Sequence, residues 1–132
     1  MYYNSSSKKD DDNFFEWLVG IIDAEGTFMI GRGKTSNRIY FNFTFVIALH
    51  VDDTNLLEFI KKRLGIGKVY IYGNKSYFRV KNKKYLKVIN DIFTKYTLKT
   101  HKYLNFLDFK KAFQLYTEIS ADTNIPELLK EV

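Results

Sequence analysis

Two carboxylates fall where a helix disfavours them. Residues 17–26 read WLVGIIDAEG, and Asp23 and Glu25 lie in the last turn of a helix predicted over Phe14–Glu25. The macrodipole is negative at that end, so an exposed carboxylate there is destabilising. A local rule broken without visible compensation is expected where function resides. A divalent cation reverses the sign of that cost, and carboxylate oxygens with a nearby backbone carbonyl are ligands that Mg²⁺ prefers. The same helix carries Gly20 and Ala24 one turn apart, a spacing that lets two helix backbones approach closely. Phe14, Phe15, Trp17, Leu18, Val19, Ile21 and Ile22 make the helix apolar nearly all round. A helix of that kind buries more than one face. One face meets a sheet; the other meets a partner or the chain's own helices.

A second set of residues is basic, aromatic and hydrogen-bonding. Sorting the predicted strands by their two-residue period puts Phe28, Ile30, Phe41, Phe43, Phe45, Ile47, Leu49, Val69, Ile71, Phe78 and Val80 on one parity, the expected core face. The opposite parity carries Thr27, Met29, Gly31, Arg38, Tyr40, Asn42, Thr44, Lys68, Tyr70, Tyr72, Tyr77, Arg79 and Lys81, and no carboxylate. A face that only meets water normally mixes both signs of charge. A twisted β-ribbon enters the DNA major groove, where Arg, Asn and Thr read donor and acceptor patterns. On this reading Arg79 and Asn42, mid-strand, read bases, and Lys75, in the hairpin turn, contacts phosphate.

These residues depend on a simple series of elements. Residues 1–12 read as a flexible polar and acidic tail, and Asp12 or Asn13 caps the first helix. Gly26 stops that helix at the position where a left-handed glycine commonly does so. Strands are expected at Thr27–Arg32 and Arg38–His50, with a flexible turn between them. Asp52 or Asp53 caps a helix over Thr54–Leu64, ended by Gly65 and Gly67. Strands at Lys68–Tyr72 and Ser76–Lys81 flank Gly73-Asn74-Lys75 as a hairpin. Helices follow at about Lys83–Phe93 and about Thr100–Glu118, then a C-terminal helical tail over 119–132 whose short helix begins near Pro126. The order αββαββα with consecutive hairpins implies an α+β domain over 13–118: a four-stranded antiparallel sheet covered by helices on one face.

Composition narrows the chemistry. The chain has 132 residues and no Cys, which excludes a disulfide framework and thiolate metal sites. His50 and His101 have no second His at ligand spacing. No apolar run approaches the roughly 18–20 residues of a membrane span, and MYYNSSSKKDDD is no secretory signal. The net charge of +6 hides a partition: residues 26–113 hold 18 Lys and Arg against 5 Asp and Glu, whereas both termini are acidic. A solvated lysine-rich surface would carry the same charge, but this density points to a polyanion, and nucleic acid is the common one. Phe, Tyr, Lys, Ile and Asn, all with A/T-rich codons, supply 61 of the 132 residues, and Lys outnumbers Arg 17 to 4. That bias suggests an A/T-rich genome, and hence a mitochondrial or chloroplast setting.

Leu18–Gly26, LVGIIDAEG, resembles the nine-residue signature of the LAGLIDADG homing endonucleases, with Glu25 where the signature has its second Asp. The element order, the LGIGKV turn at 64–69 and the YTLKTHKYLNFLDFKKAF run at 96–113 are similar to that family as well. The resemblance covers about residues 13–118. It implies a site-specific, Mg²⁺-dependent (or Mn²⁺-dependent) double-strand DNA endonuclease whose sheets sit over the major groove. Carried over by position, Glu25 is the metal-binding and catalytic carboxylate, and Ala24 offers a backbone carbonyl to the metal. Gly20, Ala24 and Asp23 lie at a helix–helix dimer interface. Lys102 matches the family's active-site lysine, with Lys99 as its rival or as a DNA contact. One chain carries one signature, so the resemblance implies a homodimer on a near-palindromic target, or one half of a two-motif protein. It also admits an intron-RNA maturase, and the sheet alone would suffice for a non-catalytic DNA-binding module.

Overall fold

A computed structural model describes residues 8–119. Its elements are α1 (Lys8–Glu25), β1 (Gly26–Thr35), β2 (Arg38–His50), a 3₁₀ turn (Val51–Asp53), α2 (Thr54–Leu64), β3 (Lys68–Tyr72), β4 (Lys75–Val80), α3 (Lys83–Lys95) and α4 (Lys102–Ile119). The sheet is antiparallel throughout, in the order β1-β2-β4-β3. Each helix packs on the sheet, and the α+β architecture is the one expected. The tail expected over 119–132 lies outside the described residues, apart from Ile119 at the end of α4.

The core sits between the helices and one sheet face. Phe45, Ile47 and Phe78 are almost fully buried from the sheet side. Ile22 of α1, Ile60 of α2, Ile89 of α3 and Phe109 of α4 are equally buried from the helix side. Phe28 lies 5.1 Å from Phe45 and 5.4 Å from both Phe106 and Phe109, so the signature-proximal strand is locked to α4 by aromatic contacts. Ladder partners share a face, and Phe28↔Phe45, Ile47↔Phe78 and Val69↔Phe78 confirm the core parity. Two residues of that parity depart from it in burial. Ile30 is 41% exposed and Ile71 56%, because they lie on the edge strands β1 and β3, where helix cover ends.

Of the boundaries that differ from expectation, three bear on the site. First, α1 begins at Lys8, so residues 8–12 are helix and not tail. Asp10 and Asp11 suit the positive end of a helix. Asp11, 5% exposed, pairs with Arg63 of α2 at 2.8 Å, and Asp12 accepts a hydrogen bond from the Tyr96 hydroxyl. These partners are 52 and 84 residues away, beyond the reach of local pattern. Second, β1 runs on to Thr35, paired with Arg38. Third, β4 begins at Lys75, because the hairpin loop is only Gly73-Asn74, with Tyr72 paired to Lys75 and Gly73 at φ 63°.

Candidate functional site at the end of the first helix

Every signature residue lies on one short path, down the last turns of α1 and into β1. Leu18, Val19 and Ile22 are buried in the core. Gly26 is not a left-handed cap, since its φ is not positive. It is glycine because a Cβ there would lie 2.6 Å from Ile22 Cγ2 and 2.9 Å from the Ile22 carbonyl oxygen. The chain passes from helix to strand directly over its own last turn, and only a hydrogen side chain fits.

Asp23 is fully used within the chain. Its carboxylate accepts the Lys99 N–H at 2.9 and 3.0 Å, the Thr100 N–H at 3.1 Å and the Thr100 hydroxyl at 2.9 Å. Thr100 in turn accepts the Lys102 N–H at 3.2 Å, so it is the N-cap of α4. Asp23 therefore faces the positive end of α4, which offsets its position at the negative end of α1. Expected beside a dimer interface, Asp23 has its hydrogen bonds within the chain, at the start of α4.

Glu25 differs. It is exposed, and among the described residues it has no hydrogen-bond or ion-pair partner. The Lys102 ammonium, half-buried, donates to the carbonyl oxygen of Gly26, the next residue along. Lys99 gives its backbone N–H to Asp23 and leaves its side chain exposed. Of the two candidate lysines, Lys102 alone places its charge at the helix–strand junction. Among the described residues no group of three or more His, Cys, Asp and Glu is arranged to hold a metal ion, and Glu25 is an open carboxylate at this junction.

The outward side of α1 is equally open. Gly20 and Ala24 are exposed, and a Cβ at Gly20 would meet nothing within 4 Å. The chain's own helices do not use this small-residue stripe. Trp17, 38% exposed, continues it and packs edge-on to Phe59 of α2 at 5.9 Å.

On the sheet, the face away from the helices carries Thr27, Met29, Tyr40, Asn42, Thr44, Lys68, Tyr70, Tyr72, Tyr77 and Arg79, as the register of all three ladders requires. Arg38 takes its expected place in the ladder. Among the described strand residues none is acidic. Tyr40 lies over Gly33, where a Cβ would come within 2.1 Å of the ring. Tyr70 stacks on Tyr77 at 5.0 Å, and the Arg79 guanidinium lies 5.1 Å over Tyr70. Lys81 falls just past β4, in clefts shared with Arg79 on one side and Asn42 on the other. Lys75 belongs to the strand face, not to the turn, and His50, Val46 and Ala48 share that face. The two-residue Gly-Asn loop was the signal that could have placed Lys75.

Residues 18–113 match the family described as LAGLIDADG endonuclease. The chain belongs to that family. A probable intron-encoded endonuclease of Schizosaccharomyces pombe, Cox1-I1b, is 34% identical over 122 residues, covering 90% of this chain and 32% of the relative. Among solved structures, the LAGLIDADG homing endonuclease I-GzeII in complex with its DNA target superposes with a TM-score of 0.81 at 28% identity, over 89% of this chain and 41% of that one. The homing endonuclease I-TnaI superposes with a TM-score of 0.76 at 25% identity, over 89% of this chain and 86% of that one. This LAGLIDADG chain thus spans about a third of its curated relative and two-fifths of I-GzeII, yet most of I-TnaI. Among the described residues no helix is long and apolar enough to cross a membrane.

Proposed function

We propose that this LAGLIDADG chain hydrolyses DNA phosphodiesters at a specific double-stranded site, with a divalent cation, as one half of a symmetric pair. The observation that carries this reading is the contrast at the end of α1. Among the described residues Glu25 is an unpaired carboxylate at the negative end of a helix, and an ammonium group is held at the adjoining carbonyl. Carboxylate and carbonyl oxygens fit a hard cation such as Mg²⁺ or Mn²⁺, with Glu25 and the Ala24 carbonyl as its holders. When bound, such an ion supplies Lewis-acid polarisation of the phosphate and a more acidic attacking water.

The chain's own residues do the rest. Lys102 brings a fixed positive charge to the place where negative charge builds up on the phosphorus oxygens. The open sheet face supplies basic and aromatic side chains for phosphates and base edges, and Arg79 is held ready by its contact with Tyr70. The fold holds one signature helix, and the exposed Gly20–Ala24 stripe suits close packing against a second one under a two-fold axis. Each protomer then takes one half of a near-palindromic target. The second reading, a half of a longer two-motif protein, is favoured by the chain's 41% share of I-GzeII, whereas I-TnaI is a homing endonuclease chain of similar length to this one. The codon bias supports an organellar setting for either.

The test is cleavage of a library of double-stranded sites with Mg²⁺, with Ca²⁺ as the binding-only control and intron RNA as competitor. Site-specific double-strand cuts are expected. Metal-independent binding without cuts would leave a DNA-binding module, and preference for the intron RNA would leave a maturase.

A further inference from the structure

We infer that Asp23 and Thr100 are positioning residues for Lys102, tying the ammonium group to the same helical turn that carries Glu25. The inference rests on the nuclease reading of Lys102. Lys102 is the second residue after the Thr100 cap, so the start of α4 fixes where its side chain begins. Among the described residues the polar tie of that start to α1 is Asp23: two backbone N–H groups and the Thr100 hydroxyl converge on its carboxylate. The Thr100 hydroxyl works in both directions, donating to Asp23 and accepting from the Lys102 N–H. It is the link that passes the position of α1 to the lysine.

A lysine side chain is flexible, and holding its ammonium at one carbonyl needs a fixed point of origin. Asp23 and Glu25 are two residues apart on one turn. Any shift of the first turn of α4 along α1 moves the ammonium relative to the carboxylate. Leu98, 2% exposed, and the contacts of Phe106 and Phe109 with Phe28 hold α4 on the core, and the Asp23 tie adds the directional polar contact that sets its first turn against α1. A misplacement of about 1 Å can cost up to about a hundredfold in rate.

The experiment measures single-turnover cleavage at saturating target DNA in Mg²⁺, with DNA affinity in Ca²⁺ and thermal unfolding measured alongside. The variants are T100V, T100S, D23N, K102M and the double variant D23N/K102M. T100V keeps the Asp23 carboxylate and its two amide donors, so it carries the test if D23N fails to fold. Expected are slower cleavage for T100V and D23N, by about tenfold to a hundredfold, with DNA affinity within about threefold of wild type. T100S restores the rate, and D23N adds nothing in the K102M background. The proposal is overturned if T100V cleaves like wild type while K102M does not, or if D23N slows the K102M enzyme as much as it slows the wild type. Those results leave the nuclease reading intact. Wild-type cleavage by K102M instead overturns both the role of Lys102 and the positioning built on it.

Discussion

The two sides of the last turns of α1 have opposite fates. On the inner side, Asp23 is satisfied by four hydrogen bonds from the start of α4, and Gly26 is required because Ile22 leaves no room for a Cβ. On the outer side, Glu25 has no partner among the described residues, and Gly20 faces open space. Two carboxylates two residues apart, and two glycines six residues apart, thus split into one of each kind. The inner pair serves this chain's fold. The outer pair is destabilising or idle in the isolated chain. The nine-residue signature therefore holds two overlapping patterns, one used by the fold and one left open at the surface; on the proposed function the open one meets a cation, DNA and a second helix.

The largest effect expected from this division is on activity. Glu25→Gln removes an exposed charge that opposes the helix dipole, so the melting temperature should hold or rise slightly, while Mg²⁺-dependent cleavage falls to background. Target affinity in Ca²⁺ should stay within about tenfold. Cleavage at the wild-type rate would falsify the assignment of Glu25. The mirror experiment on the inner side is Asp23→Ala, which strips the start of α4 of its acceptor. A cost of about 1–3 kcal/mol is expected from the orphaned donors, read in urea unfolding of the protein without DNA. If Asp23→Ala and Glu25→Gln shift stability equally, the division fails.

The two glycines sharpen the comparison. Gly26→Ala forces a carbon into a space bounded by backbone, and unfolding at lower denaturant is expected. Gly20→Ala meets nothing and improves helix propensity by about 1 kcal/mol, so the isolated chain should gain stability. Gly20→Leu, a larger intrusion, should prevent close pairing of two α1 helices, with overpacking costs of about 1–3 kcal/mol per contact. Sedimentation should show a dimer for wild type at micromolar concentration and a monomer for Gly20→Leu. A wild-type monomer without DNA favours the half-protein reading.

Much of this was legible in the sequence, and the limits have a common cause. β2, α2 and β3 begin and end where turn residues and periodicity put them, and the basic face follows from parity alone. Glu25 stood out because it breaks a dipole rule. Asp23 breaks the same rule, but its compensation comes from Lys99 and Thr100, 76 and 77 residues later. Helix rules alone had no way to separate the two; the family resemblance singled out Glu25. Gly26 was read as a left-handed stop because that is the commoner use of a glycine after a helix, whereas the observed reason is steric and needs coordinates. The start of α1 was lost for the same reason as Asp23: Arg63 and Tyr96 hold it from a distance. Local pattern determined elements and faces; long-range partners determined which of the two acids was already spoken for.

The smallest effect concerns the far end of the sheet. Lys75 pairs with Tyr72 and with His50 at the hairpin end of β4, is exposed, and lies at the opposite end of the strand from Arg79. A terminal cation of this kind is placed to neutralise one phosphate and read nothing. Lys75→Ala should weaken binding to every target variant alike and flatten the log–log salt dependence by about one unit. Arg79, half-buried and held over Tyr70, has the donor fork and the fixed orientation to read a base pair. Arg79→Ala should cost about 1–3 kcal/mol at one target position and relax preference there. Binding of both variants across single-base changes, at several salt concentrations, separates these outcomes. A base-selective loss for Lys75→Ala would mean that the groove reaches the end of the sheet. Unchanged binding for both would mean that DNA does not lie on this face.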